Sequence, residues 1–398
     1  MFEAIKTLPS DPILGLMAAY RVDNNPRKID LGVGVYKDEQ GRTPVMRAVK
    51  QAETRLLKNQ DTKTYVAPAG QDNFNRLIAG LIFGEPLVNS LGSRRVTFQT
   101  PGGCGGLRLG AEFLQKVKPG AKIMVSDPTW ANHIPLLGEA GLEISKYPYY
   151  DYTNHAIRFD AMMDSISKAG AGDLVLLHGC CHNPCGADLD QSQWQEVTAL
   201  AQKNGFTPFI DLAYQGLGDG IAEDCFGVRL MAETLPELIV VSSCSKNFGL
   251  YRERTGALTV ISANAGSTNA AGSQIASIAR SIYSMPPDHG AAVVSEILGD
   301  KALNADWEVE LAEVRNRING LRTELVDALK AKGIDQDFSF IQREKGMFSF
   351  LGLNVEQVHS LINDYSIYLV ESSRINIAGI NSSNLDYLAD SIKKVLTA

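Results

Sequence analysis

The stretch DLVLLHGCCHNPCGADLDQSQWQEVTALAQKNGFTPFIDL, Asp173 to Leu212, decides the fold. It opens on the apolar β-rich run DLVLLHG, which stops in a glycine and polar turn, and closes on a second run, TPFIDL, with Asp211 near its end. A helical stretch separates the two runs. Strand, helix, strand is the unit of a parallel sheet covered by helices. The alternation repeats from about residue 95 to 262, where VTFQT, AKIMVSD, LEISKYP, DLVLLHG, TPFIDL, LIVVSS and ALTVIS predict a seven-stranded, mostly parallel sheet flanked by helices, an α/β fold. Ligands of such sheets bind beyond the carboxyl ends of the strands. The turns carrying Gly103, Asp127, Asn183, Asp211 and Ser243 should therefore converge on one cleft.

Outside this region a helix is predicted from about Lys50 to Asn59, and a long charged one from Asn304 to Lys332 fits a 3.6-residue period, with Gly333 as its C-cap. The tail returns to mixed character: MFSFLGL, a helix from Val355 to Tyr365, a strand at SIYLV and a helix ending near Leu396. It reads as a second, smaller α+β domain. The segment up to about Pro44 shows few regular elements, and LGVGVYKDEQG reads as a strand or loop ending in a glycine turn.

Composition narrows the function. The 398 residues carry a net charge of −7 with no consecutive basic block, which argues against a nucleic-acid surface and for small-molecule partners. No apolar run approaches the roughly 20 residues that span a bilayer, and MFEAIKTLPSDP lacks the cationic and apolar parts of a signal peptide. A cytosolic protein is expected, with its six cysteines as thiols. In HGCCHNPCG, His178, Cys180 and His182 alternate and could share a strand face, which suggests zinc. Against it, Cys180 and Cys181 point to opposite faces if extended, no second CxxC or HxxxH closes a tetrahedral shell, and Pro184 demands a turn. No metal is expected.

The chemistry concentrates in SSCSKNFGLYRERTG, Ser242 to Gly256. An ordinary lysine amine, with a pKa of about 10.4, is protonated at neutral pH, so a nucleophilic Lys246 needs burial or cationic neighbours such as Arg252 and Arg254. A lysine that forms a Schiff base could hold an aldehyde cofactor, with Ser243, Ser245 and Arg254 on its phosphate, which describes pyridoxal phosphate. The competing reading is a solvated Ser-Lys loop. Gly102 to Gly106 joins a strand to a helix and suits a phosphate cradle. A dinucleotide fingerprint ending at Asp127 is its rival, but Arg108 stands where the third glycine belongs. Asp211 could pair with a pyridinium nitrogen, and Tyr214 with Asn183 could hydrogen-bond the ring oxygen. Taken singly, an aspartate at a strand end is more often a helix cap and a lone tyrosine more often a packing residue.

The ordered set LGVGVYKDE, HGCCHNPCG, DLAYQGLGDG, SKNFGLYRER, IYSMPPDHG, GMFSF and SSRINIAG resembles the fold type I pyridoxal-phosphate aminotransferases, and within them the aspartate and aromatic amino acid enzymes of the alpha subgroup, over nearly the whole chain. The resemblance implies an N-terminal arm at 1–12, a small domain built from 13–44 and 314–398, and a large cofactor-binding domain at 45–313. It implies that Lys246 anchors the cofactor and shuttles the substrate's alpha proton, and that Asp211 holds the ring nitrogen. Tyr214 and Asn183 would hold the ring oxygen, Trp130 would stack on the ring, and His133 and His178 would sit behind Asp211. Gly102, Gly103, Cys104, Ser243, Ser245 and Arg254 would form the phosphate site, joined by Tyr65 from a partner subunit. Arg374 would grip the substrate's alpha-carboxylate beside Gly34, and Arg280 of the neighbouring subunit a side-chain carboxylate, so a homodimer with shared active sites is implied.

The chain departs from that pattern in places. Cys104 stands where threonine or serine is usual, Cys185 replaces the threonine of Asn-Pro-Thr-Gly, Cys244 takes a commonly aromatic position, and Met285 replaces an asparagine of the typical aspartate enzymes. The methionine makes a softer, more apolar rim. The expected activity is transfer of an amino group from an aromatic amino acid, with aspartate also accepted, to 2-oxoglutarate by two half-reactions. The alternatives are a strict aspartate aminotransferase and a lyase or decarboxylase on the same scaffold.

Overall fold

A computed structural model describes residues 2–7 and 12–397; Met1 and residues 8–11 of the expected N-terminal arm lie outside the described residues. The chain forms two compact units, one of residues 44–316 and one of residues 1–43 and 317–398.

In the unit of residues 44–316, the apolar runs become the seven-stranded sheet. Its order is Arg95–Pro101, Thr255–Ile261, Leu238–Ser243, Thr207–Leu212, Leu174–His178, Lys122–Asp127 and Glu143–Pro148. Thr255–Ile261 runs antiparallel to both neighbours and the other pairings are parallel. The one reversed strand matters: its first residue pairs with Pro101, so the loop before it, carrying Arg254, reaches the edge where the other strands end. Both faces are covered, as continuous apolar strands require. Helix Gly102–Val117 buries Leu107, Leu109, Phe113 and Leu114 against Phe98, Ile123, Phe209 and Leu258 in one core. The crossover helix Gln191–Asn204 is held at both ends. Asp190 accepts from Gln193 N at 2.8 Å, Gln193 Oε1 accepts from Asp190 N at 3.0 Å, and Gly205 ends the helix at φ +79°. Such a capping box contributes on the order of 1 kcal/mol.

In the unit of residues 1–43 and 317–398, Ile29–Asp30 pairs in parallel with Ile367–Tyr368, and Phe348–Phe350 pairs antiparallel with Arg374–Asn376. Helix Lys301–Ala331 ends in this unit and stops at Gly333, φ +70°. Helices Val355–Tyr365 and Leu385–Thr397 complete it. The expectation of few regular elements before Pro44 is corrected, because Pro12–Val22 is a helix. Its pattern is blurred by Gly15 in its interior, and it is held by tertiary contacts: the Tyr20 ring packs edge-on to Tyr368 at 5.6 Å, and Lys28 Nζ donates to Tyr20 O at 2.8 Å. LGVGV is a loop, not a strand, tied down by Asn376 Nδ2, which donates to Val33 O and Val35 O at 2.7 and 2.8 Å.

Among the described residues no helix is long and apolar enough to cross a membrane.

Candidate active site

Lys246 follows the strand Leu238–Ser243, and its loop is pinned from outside the sheet. Trp307 Nε1 donates to Asn247 O at 2.8 Å, and the Phe248 and Trp307 rings stack with centroids 4.5 Å apart. The lysine side chain is half-buried, with Nζ 4.8 Å from the centre of the Tyr214 ring. Burial pulls the amine below the ordinary lysine range; the Asp211 carboxylate opposes this and the Arg254 guanidinium adds to it. The shift is toward the neutral, nucleophilic form, the direction that the sequence required.

Asp211 sits in the neighbouring strand, Thr207–Leu212, 7% exposed. Burial pushes its carboxyl upward, but the hydrogen bond from His133 and the nearness of His133, His178 and Lys246 outweigh burial, and its pKa is lowered. It stays an anion. His133 Nε2 donates to Asp211 Oδ2 at 3.1 Å, its Nδ1 lies 2.8 Å from Thr129 Oγ1, and Thr129 Oγ1 lies 3.2 Å from His178 Nε2. His178 and His182 stack at 3.9 Å, and His182 continues to Ser126 Oγ at 3.0 Å and Cys185 Sγ at 3.2 Å. Burial, with the neighbouring imidazoles, holds His178 well below its ordinary range and His182 at about 3, so both are neutral. Trp130 meets His133 edge-on at 5.2 Å. Asn183, 8% exposed, precedes a cis peptide to Pro184 in the loop after Leu174–His178, and Tyr214 is buried two residues beyond Leu212.

The glycine turn is built to take an anion. The N-cap residue of helix Gly102–Val117, Pro101, makes no side-chain cap bond, which leaves the first N–H groups at the positive end of the helix suited to an anion. A Cβ on Gly102, at φ +70°, would lie 2.6 Å from Arg254 Nη2, and one on Gly103 would lie 3.3 Å from Ser243 Cβ. Arg254 and Ser243 therefore close directly over the turn. Ser243 Oγ accepts from Ser245 N at 3.2 Å. Cys104 is the weak member. Burial, only partly offset by Arg254, raises its pKa and keeps it a neutral thiol, and its Sγ lies 3.9 Å from Asn132 Nδ2.

The profile of aminotransferase class I and II matches residues 26–392. The chain belongs to that family. The aminotransferase is 47% identical over 396 residues to an aspartate aminotransferase of Haemophilus influenzae, covering 100% of each chain. It is 46% identical over 394 residues to an aromatic-amino-acid aminotransferase of Pseudomonas aeruginosa, covering 99% of this chain and 98% of that one. A crystal structure of the aromatic-amino-acid aminotransferase of Burkholderia pseudomallei covalently bound to pyridoxal phosphate superposes with a TM-score of 0.97 at 42% identity, covering 100% of this chain and 99% of that one. The seven-stranded sheet is the aminotransferase fold, and the cofactor is pyridoxal phosphate. The residues present fit it: a poised amine, an anionic carboxylate and an uncapped glycine turn under a guanidinium gather at one edge of one sheet.

The structure brings together Lys246, Asp211, Tyr214, Cys104 and Arg254, linked by ring contact or charge, with Gly102, Gly103 and Ser243. Tyr65 and Arg280 stand on the surface of the same unit. Tyr65 is 87% exposed, and Arg280, in the last turn of helix Ala265–Ile282, bonds the Ser284 hydroxyl. In the other unit, Arg374 is 6% exposed, donates from Nη2 to Gly32 O at 2.7 Å and lies 4.3 Å over the Phe348 ring. A Cβ on Gly34 would lie 2.7 Å from Phe348 Cζ, so only glycine fits there.

The chain is not extended at Cys180 and Cys181: the strand ends at His178 and the chain bends, with Cys181 at φ +51°, so the opposite faces of an extended strand do not apply. Both thiols lie with the Asp224 carboxylate in one buried group, ligand atoms within 4.8 Å, while His178 and His182 face each other elsewhere. Both Asp224 oxygens accept backbone N–H bonds from the loop Gly216–Gly220. Sequence reading missed Thr129, which joins His133 to His178, and Phe348, the platform of Arg374. A lone threonine carries no signal, but Phe348 lay in the quoted GMFSF.

Proposed function

We propose that the enzyme moves the amino group of an aromatic amino acid, and also of aspartate, to 2-oxoglutarate by a ping-pong mechanism in a homodimer. The observation that carries the chemistry is the depressed amine of Lys246 beside the anionic Asp211 at one sheet edge. The chemistry the cofactor supplies when bound is an aldehyde to capture the amino group and a ring that takes up the electrons released at the alpha carbon. The protein does the rest. Asp211, ionised and backed by His133, would hold a proton on the ring nitrogen. Tyr214 and Asn183 would take the ring oxygen, and Trp130 would cover a ring face. The N–H groups of Gly102–Cys104, with Ser243, Ser245 and Arg254, take the phosphate. Lys246 Nζ would anchor the cofactor and, once released by substrate, would serve as the base at the alpha carbon, a role that its lowered pKa favours.

Arg374 takes the alpha-carboxylate, where a planar fork gives two parallel bonds that lysine cannot. Arg280 and Tyr65 serve a partner's site, a role supported by their exposed positions. The aromatic preference rests on Met285, a polarisable apolar group at a rim position. Comparing kcat/KM for phenylalanine, tyrosine and aspartate tests it; a strong preference for aspartate would overturn the aromatic assignment, and failure to aminate 2-oxoglutarate would overturn transamination itself.

A further inference from the structure

Arg322 is 1% exposed in the unit of residues 1–43 and 317–398, on helix Lys301–Ala331. Its Nη1 donates to Ile341 O at 2.9 Å, and its Nη2 to Lys345 O, Gly346 O and Phe348 O at 3.1, 2.7 and 2.7 Å. Glu344 lies 3.8 Å from Nη1 and accepts from the Ser349 hydroxyl. A buried guanidinium costs several kcal/mol unless its donors are used and a counter-charge is near. Here both Nη groups donate to main-chain carbonyls of one segment, giving those acceptors partners. That segment ends at Phe348, the first residue of a strand whose partner is Arg374–Asn376, with Phe350 opposite Arg374 and Phe348 opposite Asn376. The Phe348 ring is the surface on which the Arg374 guanidinium rests at 4.3 Å, and Gly34 packs against the same ring.

We propose that Arg322 is a positioning residue for carboxylate binding: by collecting the carbonyls of residues 341–348 it fixes the Phe348 ring, and the ring fixes the angle of the Arg374 fork. The proposal rests on the assignment of Arg374 as the alpha-carboxylate grip. A fork that binds two oxygens in parallel tolerates little tilt, so the grip depends on what stands under it. Lysine at position 322 offers three donors from one point and cannot reach the same carbonyls as a planar fork.

The test measures 3-phenylpropanoate, a carboxylate with no amino group to react, binding to the holoenzyme by calorimetry, with kcat and KM for phenylalanine alongside. Arg322→Lys is expected to raise Kd and KM by about tenfold with kcat changed by less than about threefold, the signature of lost uniform binding. In an Arg374→Lys background the same substitution should add nothing further, because its effect passes through Arg374. A merely structural role lowers the denaturation midpoint and leaves Kd alone, so a folded Arg322→Lys enzyme with wild-type affinity, or additive effects in the double variant, overturns the proposal. If Arg374→Lys itself binds normally, the assignment of Arg374 fails and the proposal falls with it; if only Arg322→Lys binds normally, the assignment stands and the proposal fails alone. Should Arg322→Lys not accumulate folded, Glu344→Gln replaces it, removing the facing charge at constant size. Weakened binding then supports the proposal and unchanged binding overturns it.

Discussion

Gly102→Ala separates the two things this glycine does. At φ +70° an alanine occupies the left-handed region, which costs roughly 1–2 kcal/mol for a residue with a Cβ. The new Cβ would stand 2.6 Å from Arg254 Nη2. A normal contact needs about 3.5 Å, so the guanidinium must withdraw by roughly 0.9 Å. Moving a side-chain tip is cheap for the fold and costly for an anion held by it. Losing one charge-assisted hydrogen bond, worth about 1.5–3 kcal/mol, raises the Kd for pyridoxal phosphate by roughly 10- to 150-fold. Titrating apoenzyme with the cofactor, followed by absorbance, reads the second effect, and urea denaturation of the apoenzyme reads the first. Gly120, at φ +73° with nothing within 4 Å of its Cβ position, is the control. Gly120→Ala should show the same strain with unchanged cofactor affinity. A Gly102→Ala enzyme that binds cofactor as tightly as wild type, or a control that loses affinity equally, refutes the placement of Arg254 over the phosphate.

Borohydride reduction of the holoenzyme should tag Lys246, and Lys246→Ala should give no tag and a kcat lower by about a thousandfold or more; a tag elsewhere removes the lysine from its role. Arg374→Lys should raise KM by roughly 10- to 100-fold for every substrate, whereas Arg280→Ala should do so for aspartate and 2-oxoglutarate but not phenylalanine; equal losses across substrates for both would contradict the division. Met285→Asn should shift kcat/KM toward aspartate, and an unchanged phenylalanine-to-aspartate ratio would clear Met285 of any part in selectivity. Neutral, buried His182 binds a proton only near pH 3 when folded but near 6.5 when unfolded. The unfolded chain therefore takes up the proton first, and stability falls as pH drops from about 6.5 toward 3, by an upper bound of about 5 kcal/mol at 1.36 kcal/mol per unit. Asp188, raised by burial to about 6, acts in the opposite sense, losing its stabilising protonation as pH rises through that value. It is common to wild type and His182→Gln, so the difference between their denaturation midpoints isolates the histidine. Midpoints that fall in parallel from pH 6.5 to 4 would show that His182 is not held neutral.

The sequence by itself determined the sheet and the chemistry at its edge. Seven apolar runs bounded by turns can bury both faces only as a covered sheet, and the turns after the runs should then meet at one edge, which is why those carrying Gly103, Asp211 and Ser243 were expected together, while Lys246 stood out by its own motif and the family resemblance. Local pattern reached no further than local pattern determines. The helix Pro12–Val22 went unread because contacts with Lys28 and Tyr368, distant in sequence, hold it where its own periodicity is broken by Gly15. The sequence separated the thiols of Cys180 and Cys181 only for an extended chain, and whether the chain is extended there was decided by the bend at φ +51°. Thr129 between two imidazoles, Trp307 under the lysine loop and Arg322 beneath Phe348 join residues far apart along the chain. Only tertiary structure decided these, since a hydrogen bond or a stacked ring depends on where folding brings two groups and leaves no periodic trace in either stretch of sequence.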